Sequence, residues 1–119
     1  MMKKLWHITR KSNISSILIH GIIPSFGEGI TTPFFRNKNS KFIFLTNDPV
    51  YILKFQCGEK WCKEHHPYIL EIDIEDLDVL RYSSSNIECV VYKPIPPSKI
   101  KKIIPFNKWK GLNYARCNR

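Results

Sequence analysis

Three side chains stand out because each falls where the sequence predicts a strand to meet a loop or a helix. His7 and Thr9 are two apart in Leu5-Trp6-His7-Ile8-Thr9, which reads as a short strand. Side chains two apart on a strand point the same way, so an imidazole and a hydroxyl can reach one ligand together. The same pair also suits a half-buried sheet end with no ligand at all. Tyr51 follows Asp48-Pro49 near the start of a helix, where pattern alone makes its ring a core aromatic. Glu88 abuts the apolar run Cys89-Val90-Val91. A carboxylate there is either an ordinary edge residue or one held in a pocket, where its charge acts strongly on a developing cation.

A rival grouping lies at Cys57, Cys62, His65 and His66. Two thiols and two imidazoles this close together supply three zinc ligands, with Cys89, Cys117 or His20 as a distant fourth. The cysteine spacing is at the wide end for zinc and no second close pair exists. Reduced cysteines and surface histidines in a helix-to-strand loop account for the segment more simply.

The elements that must position these residues follow from pattern. After the strand over 5–9 comes a helix, with Ser12 as N-cap, Ile14, Ile17 and Leu18 at helical spacing, and Gly21 as its stop. Residues 25–40, rich in Gly, Thr, Pro and Asn, read as a long loop carrying Arg36 and Lys38. The run 42–46 is a β-prone central strand, and Asp48 and Pro49 cap a second helix that ends before Gly58. Residues 68–74 alternate apolar and acidic, the pattern of a half-buried strand. Short strands follow at 79–82 and 87–92, then a rigid Pro94-Ile95-Pro96-Pro97 turn and a closing strand over 100–106. Two short early helices and a majority of strands give an α+β class.

The 119 residues suffice for one domain, spanning 1–119, and are too few for two. With 43% hydrophobic and 24% charged residues, the composition is that of a globular protein and excludes a disordered or fibrous one. No apolar run approaches the roughly 20 residues that span a bilayer, which predicts no membrane association. The basic start, Met1-Met2-Lys3-Lys4-Leu5-Trp6-His7, lacks the apolar stretch of a signal peptide, so a reduced, cytoplasmic protein is expected. Nineteen Lys and Arg against ten Asp and Glu give a net charge of +9, which suits a polyanionic partner. Lys99, Lys101, Lys102, Lys108, Lys110, Arg116 and Arg119 crowd the last third, with Trp109 and Tyr114 among them. Charges that neutralise phosphates and rings that stack on bases favour nucleic acid; a solvated basic face with core aromatics is the simpler alternative.

Taken in order, LWHIT, NISSILIHGIIPS, FIFLTNDPVYIL and IECVVYKPIPPSKI resemble a compact ADP-ribosyltransferase domain of the His-Tyr-Glu type. The first block and ECVVYKPIPPSKI are similar to the DNA-modifying thymidine ADP-ribosyltransferase toxins, and the pattern more loosely resembles the tRNA 2′-phosphotransferases. The chain is shorter than those toxins, and its TPFFRNKN segment matches their Arg-containing loop only in part. The resemblance implies a split β-sheet with NAD as co-substrate in its cleft, no metal, and a monomer. Carried over by position, it makes Glu88 and Tyr51 catalytic and gives His7, Ile8, Thr9, Arg10, Tyr51 and Arg36 to NAD. His7 and Thr9 hold the adenosine-side ribose and the nicotinamide amide, Arg10 or Arg36 meets the pyrophosphate, and Tyr51 stacks on the nicotinamide ring. Glu88 hydrogen-bonds the nicotinamide-side ribose and stabilises the cationic transition state. ADP-ribose then passes to a nucleic acid or to a nucleic-acid-associated protein. The alternative is a non-catalytic module of the same fold that binds NAD, ADP-ribose or nucleic acid and inhibits a partner through its basic face.

Overall fold

The fold is taken from a computed structural model, which describes residues 3–24, 41–81 and 87–109. Asp48 starts the second helix as its sequence promises. Its carboxylate accepts the Tyr51 backbone N–H at 3.1 Å, and Pro49 occupies the first turn, where a missing N–H costs nothing. Its own backbone N–H donates to the Thr46 hydroxyl at 2.9 Å, so strand end and helix start are tied through one residue. Three strands precede or surround this junction: β1 (Lys4–Thr9), β2 (Ile43–Thr46) and β3 (Tyr68–Asp73). With β4 (Leu80–Arg81), β5 (Glu88–Val91) and β6 (Ile100–Pro105) they form one antiparallel sheet in the order β4-β5-β2-β1-β3-β6. Five strands carry the sheet, and the two-residue β4 extends one edge.

Helix α1 (Ile14–His20) covers one face. There Leu5, Ile43, Leu45, Leu70, Ile72 and Val91 pack with Ile17, Ile22 and Ile95. The opposite face carries Ile8, Phe44, Ile69 and Val90 against Ile52 and Leu53 of the second helical unit. That unit is α2 (Pro49–Tyr51), a π-helix (Ile52–Cys57) and α3 (Gly58–His65) in succession. The α+β class and a sheet flanked by two helical units therefore stand, and no helix among the described residues is long and apolar enough to cross a membrane.

Several sequence expectations need correction. Ser12 does not cap α1. Residues Lys11–Asn13 form a 3-10 turn first, and the Asn13 side chain donates to Thr9 instead. Residues 58–65, expected to be a loop, continue the helix until His66 turns left-handed and Pro67 blocks further propagation. The strand at 68–73 is buried on both faces rather than one, because Leu70 and Ile72 pack with Ile17 of α1 and Ile69 packs with Ile52 and Leu53 on the other side. Its Glu71 is only 6% exposed and lies 3.5 Å from the Lys4 ammonium. The loop at 25–40 lies outside the described residues.

The sheet is unevenly knit. β1 and β3 pair over six residues, from Lys4 opposite Asp73 to Thr9 opposite Tyr68, and β2 and β5 pair over four. Between β1 and β2 the described register holds one pair, Trp6 opposite Thr46. Across that junction the His7 imidazole donates Nδ1–H to the Phe44 carbonyl at 2.8 Å. The sheet thus consists of two three-stranded halves joined at a narrow seam.

Gly21 shows how closely the chain passes itself on the α1 face. Ile22 and Ile95 exchange backbone hydrogen bonds at 2.8 and 2.9 Å, and a Cβ at Gly21 would strike the Ile95 carbonyl. Gly58 has a similar positive φ, +86° against +77°, but no heavy atom stands within 4 Å of its Cβ position. Gly58→Ala therefore costs stability through backbone strain alone, about 1–2 kcal/mol, whereas Gly21→Ala adds the collision to that strain and costs about 3 kcal/mol or more. Urea unfolding of the two variants checks this ordering, and equal losses would contradict the close approach at Ile95.

Candidate active site

Glu88 opens β5 on the face covered by the second helical unit and is 4% exposed. A buried carboxylate is costly unless it is hydrogen-bonded, and here the Gln56 side-chain amide donates Nε2–H to its Oε1 at 2.9 Å. Antiparallel register puts Glu88 opposite Thr46, Thr46 opposite Trp6, Trp6 opposite Glu71 and Glu71 opposite Lys102. Directly opposed residues share a face, so these five side chains form one row across five strands. The row holds three buried polar groups, at Glu88, Thr46 and Glu71.

Glu71 and Glu88 are three strand spacings apart, about 14 Å at about 4.8 Å per strand. That exceeds the span of about 5–9.5 Å over which paired carboxylates share one glycosidic bond, so Glu71 and Glu88 do not form such a pair. Lys4 also lies 5.6 Å from the Trp6 ring centre, which places both the indole and Glu71 within its field.

Tyr51 is 43% exposed, on the last residue of α2, with its ring 5.1 Å from that of Phe55. It is not a core aromatic. It belongs to the same helical unit as Gln56, so Tyr51 and Glu88 are linked through that helix and through the Thr46–Asp48 hydrogen bond.

His7 belongs by strand alternation to the other face, with Leu5 and Thr9. It stands two strand spacings from Glu88, about 10 Å, and the two are not in contact. A carbonyl only accepts, so Nδ1 carries the proton and the neutral ring presents Nε2 as an acceptor. Burial pushes the His7 pKa below 6.5, outweighing the bond to Phe44, which acts in the opposite direction. Thr9 is buried and its hydroxyl accepts from the Asn13 amide at 3.1 Å. Ile8 is a core residue packed with Phe44 and Ile69. Arg10 follows β1 half-buried, and its carbonyl accepts the Asn13 N–H. Arg36 lies outside the described residues.

Gln56 escaped the sequence reading although a signal for it existed: it is a polar residue three and four positions beyond the buried Leu53 and Ile52. Thr46 carried no such mark. At the rival cysteine site, burial and the neighbouring Cys62 push the Cys57 thiol up to about 12, and Cys62 is raised by burial and by Glu59. Both disfavour the thiolate that zinc requires. Among the described residues no three His, Cys, Asp or Glu side chains gather as a metal site. Of the basic cluster, Lys101, Lys102 and Lys108 are exposed, and Lys99 donates to the Glu75 carbonyl at 2.9 Å. Trp109 packs edge-on against Trp6, 6.1 Å between centres, and so contributes to the core. Residues 110–119 lie outside the described set.

The sign of the His7 effect on stability is fixed by its depressed pKa. The unfolded chain binds the proton more readily, so the contribution is whole above pH 6.5 and is lost as pH falls through the lower folded value. Urea midpoints measured from about pH 7.5 down to about pH 5 should fall more steeply for the wild type than for His7→Gln. Parallel slopes would mean that His7 is not buried as a neutral ring.

No family model matches this chain, and no match exists among curated proteins.

Proposed function

We propose that the chain is an NAD-dependent mono-ADP-ribosyltransferase that passes ADP-ribose to a nucleic acid or protein acceptor and releases nicotinamide. Glu88 carries the reading. It is a buried carboxylate, tethered by Gln56 to the helical unit that exposes Tyr51. A negative charge held in a poorly solvated place acts strongly on positive charge that develops beside it. In this reaction the bond between the ribose anomeric carbon and the pyridinium nitrogen breaks, and its electron pair leaves with neutral nicotinamide. Positive charge builds on the ribose until the acceptor's oxygen or nitrogen forms the new bond and its proton passes to solvent.

In this reading Glu88 accepts from a hydroxyl of that ribose and stabilises the charge next to it. Tyr51 supplies an exposed ring for the nicotinamide, and its neighbour Phe55 widens the platform. His7 has its Nδ1 committed to the Phe44 carbonyl. Strand alternation puts His7 on the face opposite Glu88, and the paired strands β1 and β2 leave no passage between the faces, so the reading uses Glu88 and Tyr51 without His7. Lys101, Lys102 and Lys108 offer positive charge to a phosphate-bearing acceptor.

The test is transfer of label from NAD carrying it on the adenine, with wild type and Glu88→Gln incubated in a cell lysate that is then split into protein and nucleic-acid fractions. Wild type is expected to label one fraction, and Glu88→Gln to label it less by on the order of 10²–10³-fold. Label from neither protein, with NAD binding intact, would replace the transferase by a non-catalytic binding module. Absence of NAD binding would end the reading.

A further inference from the structure

The amide that holds Glu88 is only half used. Gln56 gives its Nε2–H to the carboxylate, while its Oε1 is buried with no hydrogen-bond partner. A bare buried acceptor costs about 1–3 kcal/mol, and an apolar residue of the same shape would avoid that cost. The local backbone is unusual at the same place. Gln56 lies in a six-residue π-helix, a rare geometry that tends to occur at functional sites, between the α-helical Pro49–Tyr51 and Gly58–His65 segments. The wider i→i+5 turn, ended by Gly58 with φ +86°, is what brings residue 56 to Glu88 while Ile52 and Leu53 stay fully buried.

We propose that Gln56 is the positioning residue of Glu88 and that its unpartnered Oε1 is a second acceptor for the ligand Glu88 binds. The inference rests on the transferase reading for its reaction, and adds to it the chemistry of the ligand. Two acceptors side by side, a carboxylate and an amide oxygen, suit a ligand with two neighbouring donors, the pattern of a ribose diol. As a donor to the carboxylate, Gln56 fixes the orientation of Glu88 without cancelling its charge. When the diol arrives, the orphaned oxygen gains its partner.

The experiment compares wild type, Gln56→Met and the exchanged pair Gln56→Glu with Glu88→Gln, using three readouts. The first is the pair of Gln56 side-chain amide resonances in a 1H–15N spectrum. These should move in Glu88→Ala and again when ADP-ribose is added to wild type. The second is nicotinamide release from NAD, split into kcat and KM. Gln56→Met should lower kcat by on the order of 10²-fold through misplaced Glu88, and raise KM by up to about tenfold through the lost acceptor. The third is the thermal midpoint. The exchanged pair keeps a hydrogen bond between the two positions and should recover stability without recovering turnover. A purely structural Gln56 would give the reverse, a lower midpoint in Gln56→Met with kcat and KM of the folded protein unchanged, and would overturn the proposal. Wild type that releases no nicotinamide, while ADP-ribose moves the Gln56 resonances and binds Gln56→Met more weakly, sinks the transferase reading and supports the acceptor role. Resonances indifferent to ADP-ribose sink the acceptor role.

Discussion

Between β1 and β2 the described register holds one residue pair, beside which the His7 imidazole donates to the Phe44 carbonyl, where β1–β3, β2–β5 and β3–β6 are longer ladders. Backbone N–H and C=O groups along a seam need partners, and a seam with one pair leaves most of that demand to be met elsewhere. The Phe44 carbonyl shows one solution: a side chain reaches across to it. The weak seam also sets the geometry of everything around it. It lies between the two halves that carry His7 and Glu88, and the strand that ends there, β2, delivers Thr46 to Glu88 and Asp48 to the helix above.

The two buried carboxylates in the row across the sheet are treated differently. Glu71 meets a lysine, whose charge opposes its own. Glu88 accepts a hydrogen bond from the Gln56 amide, which satisfies a lone pair and helps set the direction of the group. An ion pair offsets the burial of one charge with the burial or partial burial of another. An amide leaves more of the charge available to whatever lies beside it.

Much of the fold was legible from local pattern. The strands at 5–9, 42–46, 87–92 and 100–106, the Asp48–Pro49 helix start and the Gly21 stop all depend on nearest-neighbour physics, and all recur within a residue or two. What failed depended on the third dimension. Alternation at 68–74 says which residues share a face, but not that both faces are covered, so Glu71 passed for a solvated residue. The stretch at 58–65 lacked an apolar stripe strong enough to read as helix, and tertiary contacts of Trp61 and Cys62 supply what propensity did not. Of the candidate residues, Glu88, Tyr51 and His7 were found by type and position along the chain. Their division between two faces and the role of Gln56 follow from register and from a π-turn, neither of which a single sequence displays.

The strand order also governs how the chain can assemble. Thr9 faces Tyr68, so the longest ladder of β1 closes only after some sixty intervening residues are in place, and the sequence-adjacent pairing of β1 with β2 is the thinnest in the sheet. Closing a long loop before collecting its contacts raises the barrier to folding rather than lowering the final stability. A chain emerging from the ribosome would hold β1 unpaired along most of its length until β3 arrives. Such a strand is exposed to wrong partners during synthesis, and the exposed lysines at positions 3, 4 and 11, just outside its apolar centre, repel those partners in the meantime.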